Sequence, residues 1–194
     1  MAHHDEPPAR GTGGVARGTG TTSSDDVAPT PVPGAVITVS DRCASGEAED
    51  ISGPLAVELL AGFAVQSQSA RVVPDGIDSV QDAIARAISE GARVVLTTGG
   101  TGISPRDLTP EATEPLLVAR LDGVADAIRR RGEEHVATAL LSRGLVGITG
   151  HGMDSAVVVN APGSTGGVHD AIAVLGPLVA HLIDQLDGGD HPSR

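Results

Sequence analysis

Residues 94–112 read VVLTTGGTGISPRDLTPEA, and few folds accommodate such a stretch. A short apolar run, Val94-Val95-Leu96, is the pattern of a strand covered on both faces, as in a parallel sheet. It passes into Thr97-Thr98-Gly99-Gly100-Thr101-Gly102, where three glycines in four residues let backbone N–H groups approach a ligand closely. An Arg106-Asp107 pair follows, expected to be exposed, and then Thr109-Pro110-Glu111, a helix start with proline at the first helical position. Strand, glycine turn, charged loop and helix N-terminus in that order predict an anion-binding site at the carboxyl end of a sheet. Two other phosphate loops are excluded. The Walker A pattern needs a lysine, and the chain has none; the glycine spacing is wrong for a dinucleotide fingerprint. Phosphate is therefore expected to meet backbone N–H groups, hydroxyls and arginine.

The remaining sequence predicts a frame of the same kind. With 194 residues there is room for one domain with a substantial core, yet there is one Phe and no Tyr or Trp. A core of Val, Leu, Ile and Ala suits helices on a parallel sheet, an α/β fold of three layers (α/β/α) with a mostly parallel central sheet. It argues against an immunoglobulin-like sandwich and against single-strand nucleic-acid binding, which leans on aromatic platforms. Net charge is −12, and residues 34–183 hold 10 Arg against 18 Asp or Glu, leaving −8 there. Such a surface repels nucleic acid and anionic membranes, so an anionic ligand needs local positive potential, for which Arg42, Arg106 and Arg143 are the candidates. Cys43 stands alone, which excludes an intrachain disulfide or thiolate cluster and reads as a small buried residue. No apolar run approaches the roughly 18 residues of a membrane helix, no signal core opens the chain, and a cytoplasmic location is the default.

In chain order, residues 1–33 are rich in Gly, Pro, Thr, Ser and Asp and are expected to be a disordered leader, His3-His4 included. The domain is expected to span 34–186, with 187–194 a polar tail. A first strand at 35–39 ends in Ser40-Asp41-Arg42, polar residues where the ligand crevice of an open sheet lies. An acidic loop with Glu47, Glu49 and Asp50 precedes a helix from Ser52-Gly53-Pro54 to Leu60. A second strand over 65–73 stops at Pro74-Asp75-Gly76, which puts Asp75 at a strand end on the glycine-loop side. Val80, Ala83, Ile84, Ala87 and Ile88 mark a helix capped by Asp78 or Ser79 and closed by Gly91. Helices over 112–121 and 124–141 follow, with Arg129-Arg130-Arg131 on a solvated face. Strands near 145–149 and 156–160 flank a turn carrying His151, read as a surface residue. The last strand ends at Asn160 and a Pro162-Gly163 turn, and Ser164 precedes a helix to about 186 that Pro177 should kink.

TTGGTG with SPRDLTPEA (residues 97–102 and 104–112) resembles the signature of the MogA/MoaB family, the molybdopterin adenylyltransferases of molybdenum-cofactor biosynthesis. TVSDR at 38–42, EDISG at 49–53, LSR at 141–143 and VNAPGS at 159–164 extend the resemblance in matching order, across roughly 34–186. The resemblance implies a molybdopterin-binding domain that transfers AMP from magnesium-ATP to molybdopterin and releases pyrophosphate, in a homotrimer. It implies catalytic roles for Asp75 and Asp107, which are also the natural magnesium ligands. Substrate contacts are implied for Ser40, Asp41, Arg42, Asp50, Ser52 and Gly53. The same holds for Thr98, Gly99, Gly100, Thr101, Gly102, Arg106, Thr109 and Glu111, and for Ser142, Arg143, Asn160, Pro162, Gly163 and Ser164. The chain departs from the family at Ala161, where a bulkier apolar residue is usual, and in lacking a basic residue after the Pro-Gly turn. A pterin-binding carrier without turnover is the alternative function. A pterin lyase of the carbinolamine dehydratase type is less well supported, because that chemistry uses clustered histidines and the ordered region shows no adjacent pair.

Overall fold

The computed structural model describes Met1 and residues 30–189, so most of the expected leader and the end of the tail lie outside the described residues. The elements run β1 (Val32–Val39), α1 (Asp41–Ala44), α2 (Ser52–Ala61), β2 (Val65–Gln66), β3 (Ala70–Val73), α3 (Ile77–Ser89) and β4 (Val94–Thr98). Then come α4 (Thr109–Thr113), β5 (Ala119–Arg120), α5 (Asp122–Glu133), β6 (Val146–Ile148), β7 (Val157–Ala161), α6 (Thr165–Leu175) and α7 (Val179–Leu186). The seven-stranded sheet has the order β2-β1-β4-β7-β6-β5, with β3 also on β1. β1 pairs in parallel with β2, β3 and β4, and β4 with β7; β6 runs antiparallel to both its neighbours. The α/β expectation holds, with a mixed sheet covered by helices on both faces.

Strand alternation explains the two covered faces. Val36, Val94, Leu96, Val157 and Val159 bury one face against residues of α2, α5 and α6, including Leu60, Ile128, Val168 and Ile172. Ile37, Val95 and Val158 bury the other against Val80, Ile84 and Ala87 of α3 and Ala112 of α4. A strand buried on both sides has no polar positions to spare, which is why these runs are continuously apolar. Burial on this scale contributes on the order of 2 kcal/mol per large side chain and outweighs the weak β-propensity of the flanking polar residues.

Several boundaries differ from the sequence expectation. β1 begins at Val32, two residues before Gly34, because the Val32 N–H finds the Ala64 carbonyl at 2.8 Å. The strand expected over 65–73 is two pieces. The register against β1 slips from Val32↔Val65 to Val36↔Ala70, so one extra residue bulges out between them. The helix expected over 112–121 ends at Thr113. Pro115 lies in a 3-10 turn, Glu114–Leu116, and Ala119-Arg120 becomes the edge strand β5. α5 stops at Glu133, and Ala137–Leu141 is a separate 3-10 turn. α3 takes Gly76 as its N-cap, while Ser79 Oγ donates back to the Pro74 carbonyl at 2.9 Å. Gly91 closes α3 with φ +95° as expected.

Pro177 divides the last helix as expected, through the turn Gly176–Leu178. Taken together, Thr165–Leu186 is 22 residues with mean hydropathy 1.4, long and apolar enough to cross a membrane, contrary to the expectation that no run reaches that length. Its apolar residues Val168, Ile172, Leu175 and Val179 are spent on the sheet. Cys43 is half-buried rather than enclosed, and His151 is exposed.

Gly99 sits where β4 leaves the sheet, with φ +108°, and a Cβ built on it would lie 2.2 Å from the Val39 carbonyl oxygen. Gly99→Ala is expected to cost about 3 kcal/mol or more in thermal or urea unfolding. Gly123→Ala, at an open position early in α5, should be neutral or stabilise by roughly 0.5 kcal/mol. Equal stability of the two variants would contradict the close-approach account.

Candidate functional site

The parallel strands β1, β3, β4 and β7 deliver four loops to one end of the sheet, and backbone contacts fuse those loops into one crevice. The Gly99 N–H donates to the Ala161 carbonyl at 3.1 Å, and Thr98 Oγ1 donates to the Pro162 carbonyl at 2.9 Å. A Cβ on Gly163 would lie 3.2 Å from Gly99 Cα. The glycine turn and the Pro-Gly turn are therefore in contact, with no side chain between them. On the other side, the Asp41 N–H donates to Asp75 Oδ2 (2.9 Å) and the Asp75 N–H to Asp41 Oδ1 (3.0 Å). This reciprocal pair latches the loop after β1 to the loop after β3. Ser40 caps α1, the short helix that the sequence did not signal, by accepting from the Cys43 N–H at 3.3 Å.

Two cavities open on either side of the Gly99–Gly163 ridge. The larger, about 540 Å³, is lined by Gly99, Gly100, Thr101, Gly102, Asp107, Ser142, Pro162, Gly163 and Ser164, with further residues from α5, the turn after it and α6. The smaller, about 320 Å³, is lined by Ser40, Asp50, Ser52, Thr98 and Gly163 together with Thr38, Cys43, Glu49 and Thr165. Among the described residues, no protein acceptor takes the N–H groups of Gly100, Thr101 and Gly102, whereas that of Gly99 is already spent. Ser164 caps α6 by accepting from the Gly167 N–H at 3.0 Å. Amide donors and a helix N-terminus thus face the same cavity, an arrangement suited to a phosphate-sized anion.

Other predicted site residues support the crevice from behind. Asn160 is 2% exposed and fully engaged. Its amide donates to Thr97 Oγ1 and Thr113 Oγ1 at 3.0 Å each, and its carbonyl accepts from the Leu145 N–H at 3.1 Å. Asn160 holds β7, β4 and α4 together and has no polar atom left for a ligand, which corrects the expectation of substrate contact. Thr109, also buried, donates to the Gly99 carbonyl at 2.9 Å and fixes the glycine turn over the start of α4. Asp50 accepts from Thr38 Oγ1 (2.7 Å), Ser52 Oγ (3.3 Å) and the Gly53 N–H (2.9 Å), so it organises the start of α2. Gly53 itself is buried against Thr38 and Asp50.

The arginines divide in the same way. Arg143 was a candidate for local positive potential and substrate contact. Its guanidinium instead donates to the Gly102 carbonyl (2.7 Å), the Asp107 carbonyl and the Glu111 carboxylate. One planar group thereby joins both ends of the Gly102–Asp107 excursion to α4. The hydrogen bond from Arg143 holds the Glu111 carboxyl below its ordinary range, and Glu111 in turn raises the Arg143 guanidinium. Arg129, read in sequence as solvated, is half-buried and donates to the Ser142 and Gly144 carbonyls at 3.3 and 3.2 Å. Arg42, on the short helix α1, and Arg106, on the loop before α4, stand exposed beside the crevice, with no ion pair among the described residues.

Among the described residues, Asp75 and Asp107 each keep one carboxylate oxygen out of protein hydrogen bonds. Oδ2 of Asp107 accepts from the Ser104 N–H at 2.8 Å, as Oδ2 of Asp75 does from Asp41. A Cβ on Gly100 would lie 3.4 Å from Asp75 Oδ1, and one on Gly102 would lie 2.8 Å from Asp107 Oδ2. Both carboxylates therefore border the glycine turn. The described residues hold no group of three or more metal-ligating side chains. Two carboxylates fit a magnesium ion that also takes phosphate oxygens, not one caged by protein alone. The sequence missed the α5–α6 wall of the larger cavity, which includes Ile128, Gly132, His135, Ala139 and Asp170. No motif marks it, because the wall exists only once two helices pack.

An open α/β sheet with amide-lined loops at its carboxyl edge has the architecture in which ligands are held at the strand ends. The comparison with known proteins is more specific: residues 35–181 match the model of the family described as "Probable molybdopterin binding domain", and the chain belongs to that family. It is 40% identical over 150 residues to the molybdopterin adenylyltransferase of Pyrococcus furiosus, covering 76% of this chain and 87% of that one. It is also 40% identical over 170 residues to the molybdenum cofactor biosynthesis bifunctional protein of Synechococcus elongatus, covering 86% of this chain but 52% of that protein. The match to the bifunctional protein of Chlorobaculum tepidum covers 49% of it, so the chain spans about half the length of these relatives. Among solved structures, a molybdopterin biosynthesis protein from Mycobacterium abscessus superposes with TM-score 0.74 at 42% identity, covering 81% and 97% of the two chains. The tungsten cofactor synthesizing protein MoaB from Pyrococcus furiosus gives 0.76 at 37%, covering 82% and 99%. The MogA/MoaB resemblance of the motifs is thus met in the fold and along the chain.

The Arg143–Glu111 pair is 38% and 41% exposed, so solvent screening limits it to about 0.2–1 kcal/mol. Because the folded-state carboxyl is depressed below its ordinary value near 4.5, its stabilisation is present above that value and fades as pH falls through the lower one. Glu111→Gln is therefore expected to lower the melting temperature slightly at pH 7, with the gap to wild type narrowing as pH falls below 4.5. A gap undiminished at pH 3 would show that the carboxylate acts otherwise.

Proposed function

We propose that this chain acts in molybdenum-cofactor biosynthesis as a molybdopterin adenylyltransferase. In this reading it binds molybdopterin in the crevice and transfers AMP from ATP to its terminal phosphate. The observation that carries the proposal is the direct contact of the glycine turn with the Pro-Gly turn. That contact leaves the unspent amides of Gly100–Gly102 and the start of α6 facing one cavity. Relatives matched over most of their own length, such as the molybdopterin adenylyltransferases of Pyrococcus furiosus and Helicobacter pylori, support the same reading. The setting is the cytoplasm and the assembly a homotrimer, as the family resemblance implies.

In the transfer, a terminal phosphate oxygen of molybdopterin attacks the α-phosphorus of ATP. The new P–O bond forms as the bond to the β-bridging oxygen breaks, and pyrophosphate leaves with that electron pair. Such a reaction asks the protein chiefly for in-line positioning and charge neutralisation. The amides of Gly100, Thr101 and Gly102 hold phosphate without a counter-charge. Ser142 supplies a hydroxyl at the margin of the larger cavity, and Arg42 on α1 and Arg106 on the loop before α4 add positive potential from the flanks. Asp75 and Asp107 would hold magnesium against the nucleotide phosphates, and the ion would offset the charge that develops on the departing pyrophosphate.

Asp107→Asn, which keeps the side-chain shape and its acceptor for the Ser104 N–H, is expected to leave the fold unchanged. It should reduce AMP transfer by at least about a hundredfold while retaining pterin binding. The measurement is pyrophosphate release from ATP in the presence of molybdopterin. Wild-type protein that binds molybdopterin without releasing pyrophosphate would instead establish a carrier. Full turnover by the variant would remove Asp107 from the chemistry.

A further inference from the structure

The larger cavity has two chemically unlike parts. The glycine turn and the start of α6 offer donors. One turn farther along α6 lies Asp170, 7% exposed, among Ile128 and Gly132 of α5 and His135, Val136 and Ala139 just beyond it. Arg131 Nε and His135 Nε2 approach the same oxygen, Oδ1, at 3.4 and 3.8 Å. Their own side chains are 48% and 67% exposed, so they screen Asp170 from the solvent side. Oδ2 turns toward Gly132, where a Cβ would lie only 3.4 Å away. Among the described residues, no donor makes a hydrogen bond to either oxygen. A carboxylate this buried ordinarily has hydrogen-bond partners; among the described residues Asp170 is engaged through Oδ1, in the ion pairs to Arg131 and His135, and its side chain lines the cavity.

We propose that Asp170 determines specificity in a ring subsite. It would accept the adjacent N–H and NH2 donors of a planar 2-amino-4-oxo heterocycle, the class to which a pterin belongs. The inference rests on the reading that this crevice takes molybdopterin, and it names the group that recognises the ring. Two parallel donors at an amidine edge match the two oxygens of a carboxylate, and such paired, charge-assisted bonds carry geometric specificity. Adenine cannot make the match, because its amino group lies beside a ring acceptor and would set a lone pair against one oxygen. Ile128, Val136 and Ala139 supply apolar contact for the ring faces. The two parts of the cavity also polarise the ligand: the amides draw phosphate, and Asp170 repels it and draws N–H donors, so the molecule enters in one orientation.

The chain contains no Trp or Tyr, so the emission of a bound pteridine can be followed without protein overlap. The test titrates pterin and lumazine, in which an oxygen replaces the 2-amino group, into the full chain. Wild type is expected to prefer pterin by about tenfold or more, and Asp170→Asn to bring the ratio to within about threefold of unity. Asp170→Glu, which keeps the charge but shifts it by one methylene, should also lower the ratio. Arg131→Gln should leave it within about twofold of wild type, which a merely structural role for Asp170 as the partner of Arg131 would not allow. A wild-type ratio near one, or a preference that survives in folded Asp170→Asn, overturns the subsite while leaving pterin binding in place. Wild type that binds neither pteridine overturns the subsite together with the functional reading.

Discussion

The crevice depends on one close approach of main chain to main chain, where Gly99 passes between the ends of β1 and β7. A side chain at that point would strike the Val39 carbonyl oxygen. Its absence lets the glycine turn lie against Gly163 and hydrogen-bond to the end of β7. Everything else at this end of the sheet is arranged around that contact. Thr109 and Asn160 brace it from below, Thr98 ties it to Pro162, and the two cavities are the spaces left on its flanks. Because the contact is made of backbone, its geometry tolerates little variation, and the amides that project from it are fixed before a ligand arrives.

That fixity answers the electrostatic problem of an acidic protein with an anionic ligand. A chain at −12 presents an unfavourable mean field, and salt bridges at the surface do little to change it. Preorganised amide dipoles act at short range, where the mean field matters least, and they carry no counter-ion to be displaced. The arginine that reaches across to the loop from elsewhere in the chain is consequently used for shape. Arg143 holds Gly102 and Asp107 in one fork and is neutralised by Glu111, which keeps the Asp107 carboxylate bordering the turn. Charge enters from the exposed Arg42 and Arg106, whose long side chains can follow a ligand without distorting the frame.

Much of the frame was legible along the chain, because burial on both faces of a parallel sheet forces continuous apolar runs that polar loops cannot imitate. β1, β4 and β7, the α3 stripe and the break at Pro177 were all visible for that reason. Where the reading slipped, the deciding contact was distant in sequence. The bulge between β2 and β3 follows from pairing with β1, and the edge strand at Ala119-Arg120 exists only because β6 lies beside it. The roles of Asn160 and Arg143 were misread for a related cause. A polar side chain at a strand end or on a loop looks alike in sequence whether it faces a ligand or a neighbouring element.

The sequence by itself determined the class of fold, the location of the glycine and Pro-Gly turns at strand ends, and the family signature, since each rests on local periodicity or on residues a few positions apart. The tertiary structure alone decided which groups are free to act. It spent Asn160 and Arg143 on support and left the amides of Gly100–Gly102 without partners among the described residues. It also brought α5 and α6 together to enclose Asp170. The physical reason is that a hydrogen-bonding group has limited capacity, and only the packed molecule shows which of its bonds are already made.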